Sequence, residues 1–233
     1  MTFSKQTDLV WLLGTSSAMV ATLILVYLFP YPEHKAGQFW VYAAVLWRVM
    51  LYWGYGRTAN GKVFLNLLGI GLVAGFVELL TDYFLVNWID TGRLVYTNSN
   101  DVVFLASPAY MPFAWACVVV EFGYLILRLG KVTNSFVGTL IGALSAGVAI
   151  GFYELFAYKA GWWHYTPARA MIGEHCALYI PLGEFLMFLP FLWIVRRTER
   201  IADSHTRSIV AGALFGVTIF LAYASAYLIL EKM

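Results

Sequence analysis

Apolar residues in this chain come in long, nearly unbroken runs, not in the period-two alternation of a strand or the one-sided spacing of a soluble amphipathic helix. A helix that crosses a bilayer needs ~20 predominantly apolar residues. Seven runs meet that need, roughly 9–30, 38–55, 63–88, 103–128, 135–158, 177–195 and 208–230. The connections are short, the two longest follow the third and fifth runs, and Pro30, Pro32, Gly54, Gly56, Gly130 and Pro167 punctuate the boundaries. The first run is too long for a signal-peptide core and ends without a cleavage site, so it is expected to remain as a helix. The expected fold class is all-α: a polytopic helical bundle of about seven transmembrane helices, one transmembrane domain over residues 1–233 with no soluble domain appended.

Polar residues inside these runs repeat. Gly75-Phe76-Val77-Glu78-Leu79-Leu80 is followed by Ala109-Tyr110-Met111-Pro112-Phe113-Ala114. Gly151-Phe152-Tyr153-Glu154-Leu155-Phe156 is followed by Leu178-Tyr179-Ile180-Pro181-Leu182-Gly183. Glutamate and proline are 34 residues apart in the first copy (112 − 78) and 27 in the second (181 − 154), which predicts a loop longer by 7 residues in the first. The copies, about 63–131 and 135–200, each hold two spans and therefore run in the same direction. Such a parallel repeat differs from the inverted repeats common in secondary transporters.

Composition agrees with lipid as the solvent. The 233 residues are 61% hydrophobic and only 12% charged, more apolar surface than a soluble domain of this size can bury. The net charge of +2 carries no basic patch for nucleic acid, because the cations sit at helix ends. Lys5, Arg48, Arg57, Lys62, Arg128, Lys131, Arg196, Arg197, Arg200 and Arg207 fall on one side, ten against the five of Lys35, Arg93, Lys159, Arg169 and Lys232. The positive-inside rule then puts the N-terminus in the cytoplasm and the C-terminus outside. The expected location is a bacterial or archaeal cytoplasmic membrane. Cys117 and Cys176 lie in apolar runs and read as packing residues.

Carboxyls in hydrocarbon cost about 2.5–3.5 kcal/mol each on insertion scales, so those that occur there call for a use. Glu78 has Asp82 one helical turn on, on the same face. Glu154 is its counterpart, with Tyr158 in the place of Asp82, and Glu184 follows Pro181 where the first copy has Trp115. A low dielectric favours a neutral carboxyl, and a neutral acid beside an ionised one suits general acid and base work. Glu121 in the fourth helix reads instead as a packing residue that bonds a neighbouring helix. The segment Trp162-Trp163-His164-Tyr165, with Glu174 and His175 beyond it, matches no strong metal motif and suits an interfacial aromatic belt; neither metal nor cofactor is expected. His175 could shuttle a proton or orient a carboxylate. Aromatic residues, 18% of the chain, could line a cavity and stabilise a cation by ~0.5–2 kcal/mol per ring.

Gly161-Trp162-Trp163-His164-Tyr165 followed by Ile180-Pro181-Leu182-Gly183-Glu184-Phe185-Leu186-Met187-Phe188 resembles the membrane-integral lycopene cyclases. Tyr110-Met111-Pro112-Phe113-Ala114-Trp115 is similar to the related membrane carotenoid hydratases. The resemblance covers mainly residues 70–195. It implies a helical membrane enzyme that starts addition or cyclisation at an isoprenoid double bond with acid, without net redox change. Where the cyclases carry paired glutamates this chain has Gly183-Glu184, so a polyene or terpenoid other than lycopene is as good a substrate.

The expected function is therefore an isoprenoid cyclase or hydratase. Glu184 or Glu154 would be the acid, and Glu78 helped by Asp82 would accept the final proton. Tyr110, Trp115, Tyr158, Trp163, Tyr165, Tyr179 and His175 are the expected substrate contacts, and the loops with His164, Glu174 and His175 would cap the cavity. The expected partners are a hydrophobic isoprenoid or other lipidic substrate and membrane lipid. Two rival readings use the same residues: a proton-coupled carrier, and a non-catalytic subunit of a membrane complex.

Overall fold

The computed structural model describes residues 4–30, 37–97 and 101–233. Pro32 and Lys35, a boundary residue and a cation of the charge balance, lie outside the described residues. The long helices are α1 (Lys5–Leu28), α2 (Gly37–Gly56), α3 (Lys62–Asn87), α4 (Met111–Val132), α5 (Ser135–Ala160), the pair α6 (Tyr179–Phe188) and α7 (Phe191–Thr198), and α8 (Ser204–Tyr227), which ends in a wide turn over Leu228–Lys232. Among the described residues, α1, α3, α4, α5, α6 with α7, and α8 are long and apolar enough to cross a membrane. Helix α2 packs along α1 and α3 and carries Arg48 in its second half. The protein is an integral membrane, all-α bundle.

Local chemistry sets the helix ends. Ser4, Asn134 and Asp203 accept backbone N–H bonds from Thr7, Val137 and Thr206 at the starts of α1, α5 and α8. Gly161 closes α5 in the left-handed conformation at φ 64°. Two boundaries differ from the sequence reading. The fourth helix starts at Met111 instead of residue 103, because Val103–Phe104 (β2) and Ser107–Pro108 (β3) pair as a hairpin with Leu105 at φ 57°. The sixth helix is broken after Phe188, where Pro190 lacks the N–H needed to continue it.

The duplication is visible in the element order. Helix α3 leads through strand β1 (Leu94–Tyr96) and the β2–β3 hairpin to α4. Helix α5 leads through β4 (Trp163–Tyr165) and the hairpin of β5 (Met171–Ile172) with β6 (Cys176–Ala177) to α6. The 7 extra residues of the first copy are not all loop. Helix α3 continues to Asn87 beyond Glu78, whereas α5 stops at Ala160 beyond Glu154, which accounts for 3 (9 − 6). The connection to the strand holds the other 4 (residues 88–93 against 161–162). From the strand on, the copies are in step: Tyr96 to Pro112 and Tyr165 to Pro181 are both 16 residues.

Strands β1 and β4 pair antiparallel, Leu94 with Tyr165, Val95 with His164 and Tyr96 with Trp163. Because Tyr96 and Tyr165 are equivalent, as are Leu94 and Trp163, this register relates the copies by a local two-fold through Val95 and His164. Close helix contacts recur too. A Cβ on Gly71 would sit 2.6 Å from Ala116 Cα, and one on its counterpart Gly147 would sit 3.3 Å from Phe185 Cβ, Ala116 and Phe185 each lying four residues after the matched prolines. Helix α8 then packs on α3 and α6, closing the bundle.

Candidate active site

A cavity of about 950 Å³ of atom-free space, its mouth included, lies inside the bundle beneath the β1–β4 ribbon. Helices α1 to α6 and α8 all contribute to its wall. Glu78, Asp82, Glu154 and Glu184 line it together, between 1% and 4% exposed. Of the aromatic residues expected there, Tyr110, Trp115, Trp163 and Tyr165 line it too.

The four carboxyls are held differently. Asp82 Oδ2 accepts the Tyr96 hydroxyl at 2.5 Å and the Ser107 hydroxyl at 2.7 Å. Glu78, one turn away, lies within hydrogen-bonding range of Asp82 and of the Trp115 indole, while its Oε2 has no partner among the described residues. Glu154 Oε2 accepts the Trp163 indole N–H at 2.6 Å, with the Tyr165 hydroxyl beside it. Glu184 Oε1 accepts the Tyr223 hydroxyl at 3.1 Å, and its Oε2 is again without a partner. Burial, followed by the adjoining Asp82 and Glu154 carboxyls, holds the Tyr96 and Tyr165 phenols well above their ordinary range, so both remain hydrogen-bond donors.

The remaining expected residues lie elsewhere. Tyr158 is 38% exposed and does not reach the cavity: α5 packs inward through Glu154 and Ala157, and the neighbouring position turns to lipid. Tyr179 is fully buried outside the cavity wall and donates to the Gly92 carbonyl at 2.7 Å, pinning the connection after α3. His175 sits in the β5–β6 turn and His164 in the ribbon opposite Val95; neither they nor Glu174 line the cavity, so the cap is made by Trp162, Trp163 and Tyr165 with Leu94 and Tyr96. Among the described residues no three His, Cys, Asp or Glu side chains come together as metal ligands.

The sequence reading also misplaced Arg48, which it counted as a cation at a helix end. Arg48 is 8% exposed, lines the cavity, and donates to Glu121 Oε1 at 3.0 Å. Tyr52 and Tyr153 donate to the same carboxylate at 3.1 and 3.3 Å. A mid-helix cation and a mid-helix anion, each the one charge in the apolar stretch of its helix, should be expected to pair in a bilayer. Tyr96, Ser107 and Tyr223 were missed as well. Counting backwards from the prolines would have matched Tyr96 to Tyr165, whereas nothing in the repeat marks Tyr223, which comes from α8 outside both copies.

A family described as a domain of unknown function (DUF6989) matches residues 79–230, from the residue after Glu78 to the final turn. No curated protein and no solved structure matches the chain. The family match takes in Asp82, Glu154, Glu184 and the whole β1–β4 ribbon, and it covers more than half of the chain: the protein belongs to the DUF6989 family.

Proposed function

We propose that the protein is a membrane-embedded isoprenoid cyclase or hydratase that works by proton transfer alone. The observation that carries this reading is the convergence of Glu78, Asp82, Glu154 and Glu184 on one aromatic-walled cavity that no cation other than the Glu121-bound Arg48 lines. Four full negative charges confined without their own counter-ion repel one another, so the cluster suits carboxyls that exchange protons with a bound molecule. The resemblance of the 161–188 region to membrane lycopene cyclases supports the choice of an isoprenoid.

Glu184 or Glu154 gives its proton to one carbon of a double bond. A C–H bond forms from the π pair, and the neighbouring carbon becomes a cation. The faces of Trp115, Tyr110, Trp163 and Tyr165 stabilise that cation by ~0.5–2 kcal/mol each. A second double bond then attacks to close a ring, or water adds. The ring cation loses a proton from the adjoining carbon, whose C–H pair becomes a new double bond, or the added water loses one from oxygen. Glu78, with Asp82 held beside it by Tyr96 and Ser107, takes up that proton and returns it to solvent, from which the acid is recharged. Nine of the cations assigned to one side remain once Arg48 is moved inside, against four described cations on the other, so we also place the N-terminus in the cytoplasm.

Expression in a host that makes acyclic polyenes tests the reading by mass spectrometry of membrane extracts. A product of unchanged mass but altered retention, or of mass increased by one water, is expected with the wild-type chain and not with Glu78→Gln, Glu154→Gln or Glu184→Gln. Identical extracts from all four, or substrate-dependent proton flux in vesicles with no product, would reject an enzyme in favour of a packing role or a carrier.

A further inference from the structure

A second recess lies at the opposite end of the bundle from the ribbon, between the first turn of α5 and the whole length of α7. It holds about 840 Å³ of atom-free space with its mouth. The interruption at Leu189–Pro190 lies on its wall, with Leu189 and Leu192 lining it beside the start of α5. Its polar rim is Arg196, Arg197 and Arg200, with Ser135 at the N-terminus of α5 facing them. Its apolar part is exposed: Phe136 is 75% and Trp193 63% accessible.

Three features point to one kind of ligand. Arg48, Arg128 and Lys232 are in ion pairs, whereas none of the three rim arginines forms one among the described residues. Glu199, the one carboxylate in their segment, does not line the recess. The start of a 26-residue helix, where Asn134 already takes the Val137 amide, adds partial positive charge. Apolar rings immediately beside these cations, at the last turn of a membrane span, meet acyl chains and not water. We propose that the recess binds an anionic phospholipid, its phosphate between the three arginines and the N-terminus of α5, its acyl chains along Phe136 and Trp193. Arginine suits the task because its planar fork pairs with phosphate oxygens two at a time. The site is independent of the carboxyl-lined cavity and of its chemistry.

The test uses the full chain in detergent, titrated with dioleoylphosphatidylglycerol and separately with dioleoylphosphatidylcholine, with bound lipid counted by native mass spectrometry. One phosphatidylglycerol should bind well ahead of phosphatidylcholine. Each arginine contributes roughly fivefold, so Arg196→Gln, Arg197→Gln and Arg200→Gln together should weaken phosphatidylglycerol by about a hundredfold. A Trp193→Ser, Phe136→Ser pair should also weaken phosphatidylglycerol, and millimolar inorganic phosphate should displace the lipid from neither this variant nor the wild type. Equal binding of the two lipids, or an unaltered triple variant, would overturn the proposal. Displacement of the lipid by millimolar phosphate would also overturn it, since that would make the recess a simple anion site.

Discussion

Glu121 and the four cavity carboxyls are buried to the same degree, yet their surroundings have opposite logic. Glu121 faces Arg48 at 3.0 Å and takes two tyrosine hydroxyls besides, so its charge is fully answered within the protein. Glu78, Asp82, Glu154 and Glu184 line one cavity with no cation paired to any of them. Glu78 lies within hydrogen-bonding range of Asp82, their other partners are neutral donors, and two of the four keep an oxygen without a partner among the described residues. Burial alone therefore says little about the use of an intramembrane acid. Whether the protein supplies the counter-charge separates an acid that holds helices together from one left to meet something that enters.

The comparison is broken most severely by removing a proton carrier. Glu78→Gln, Glu154→Gln and Glu184→Gln should each lower turnover by roughly a hundred- to ten-thousandfold, the range of general acid–base catalysis, with thermal unfolding in detergent near that of the wild type. Glu121→Ala should do the reverse. It strands a buried guanidinium and should cost about 3–5 kcal/mol of stability, with Arg48→Met combined with Glu121→Leu recovering most of it. Denaturant unfolding of the three proteins would show this, and an unaffected Glu121→Ala would erase the distinction.

A smaller change sharpens the account within the cluster. Tyr96→Phe removes one of the two hydroxyls on Asp82, a hydrogen bond to a charged group worth about 1.5–3 kcal/mol, and should slow turnover by roughly ten- to a hundredfold without loss of fold. The smallest effect is expected at Tyr158, which the repeat pairs with Asp82 but the structure turns to lipid. Tyr158→Phe should leave turnover unchanged and alter stability by no more than ~0.5 kcal/mol.

Much of this was legible in the chain, for identifiable reasons. The apolar runs mark helices because hydrocarbon leaves a backbone few alternatives; among the described residues six of the seven, all but that of α2, are long and apolar enough to span. The duplicated glutamate led to Glu78 and Glu154, since a repeat places equivalent residues about one axis; Asp82 followed from its place one turn after Glu78, and Glu184 from the Pro181 segment that resembles the cyclases. What failed was whatever depends on helix rotation or on a third partner. Tyr158 was misread because α5 lies at the edge of the bundle, with fewer buried positions than α3. Tyr179 has the right spacing, but its hydroxyl is used by the Gly92 carbonyl. Arg48 is a mid-helix cation whose partner is 73 residues away on another span. The β2–β3 hairpin was read as helix because its residues are as apolar as a span and only the turn at Leu105 betrays it.

The central claim is that the cavity carboxyls pass a solvent-derived proton to carbon, and incubation in D₂O addresses it most directly. Membranes containing the wild-type protein and an acyclic polyene should yield a product with a single deuterium at the new C–H bond. The Glu184→Gln and Glu78→Gln proteins should yield none, and Tyr158→Phe should match the wild type. Product formed without deuterium, or labelled equally in the glutamine variants, would contradict the account.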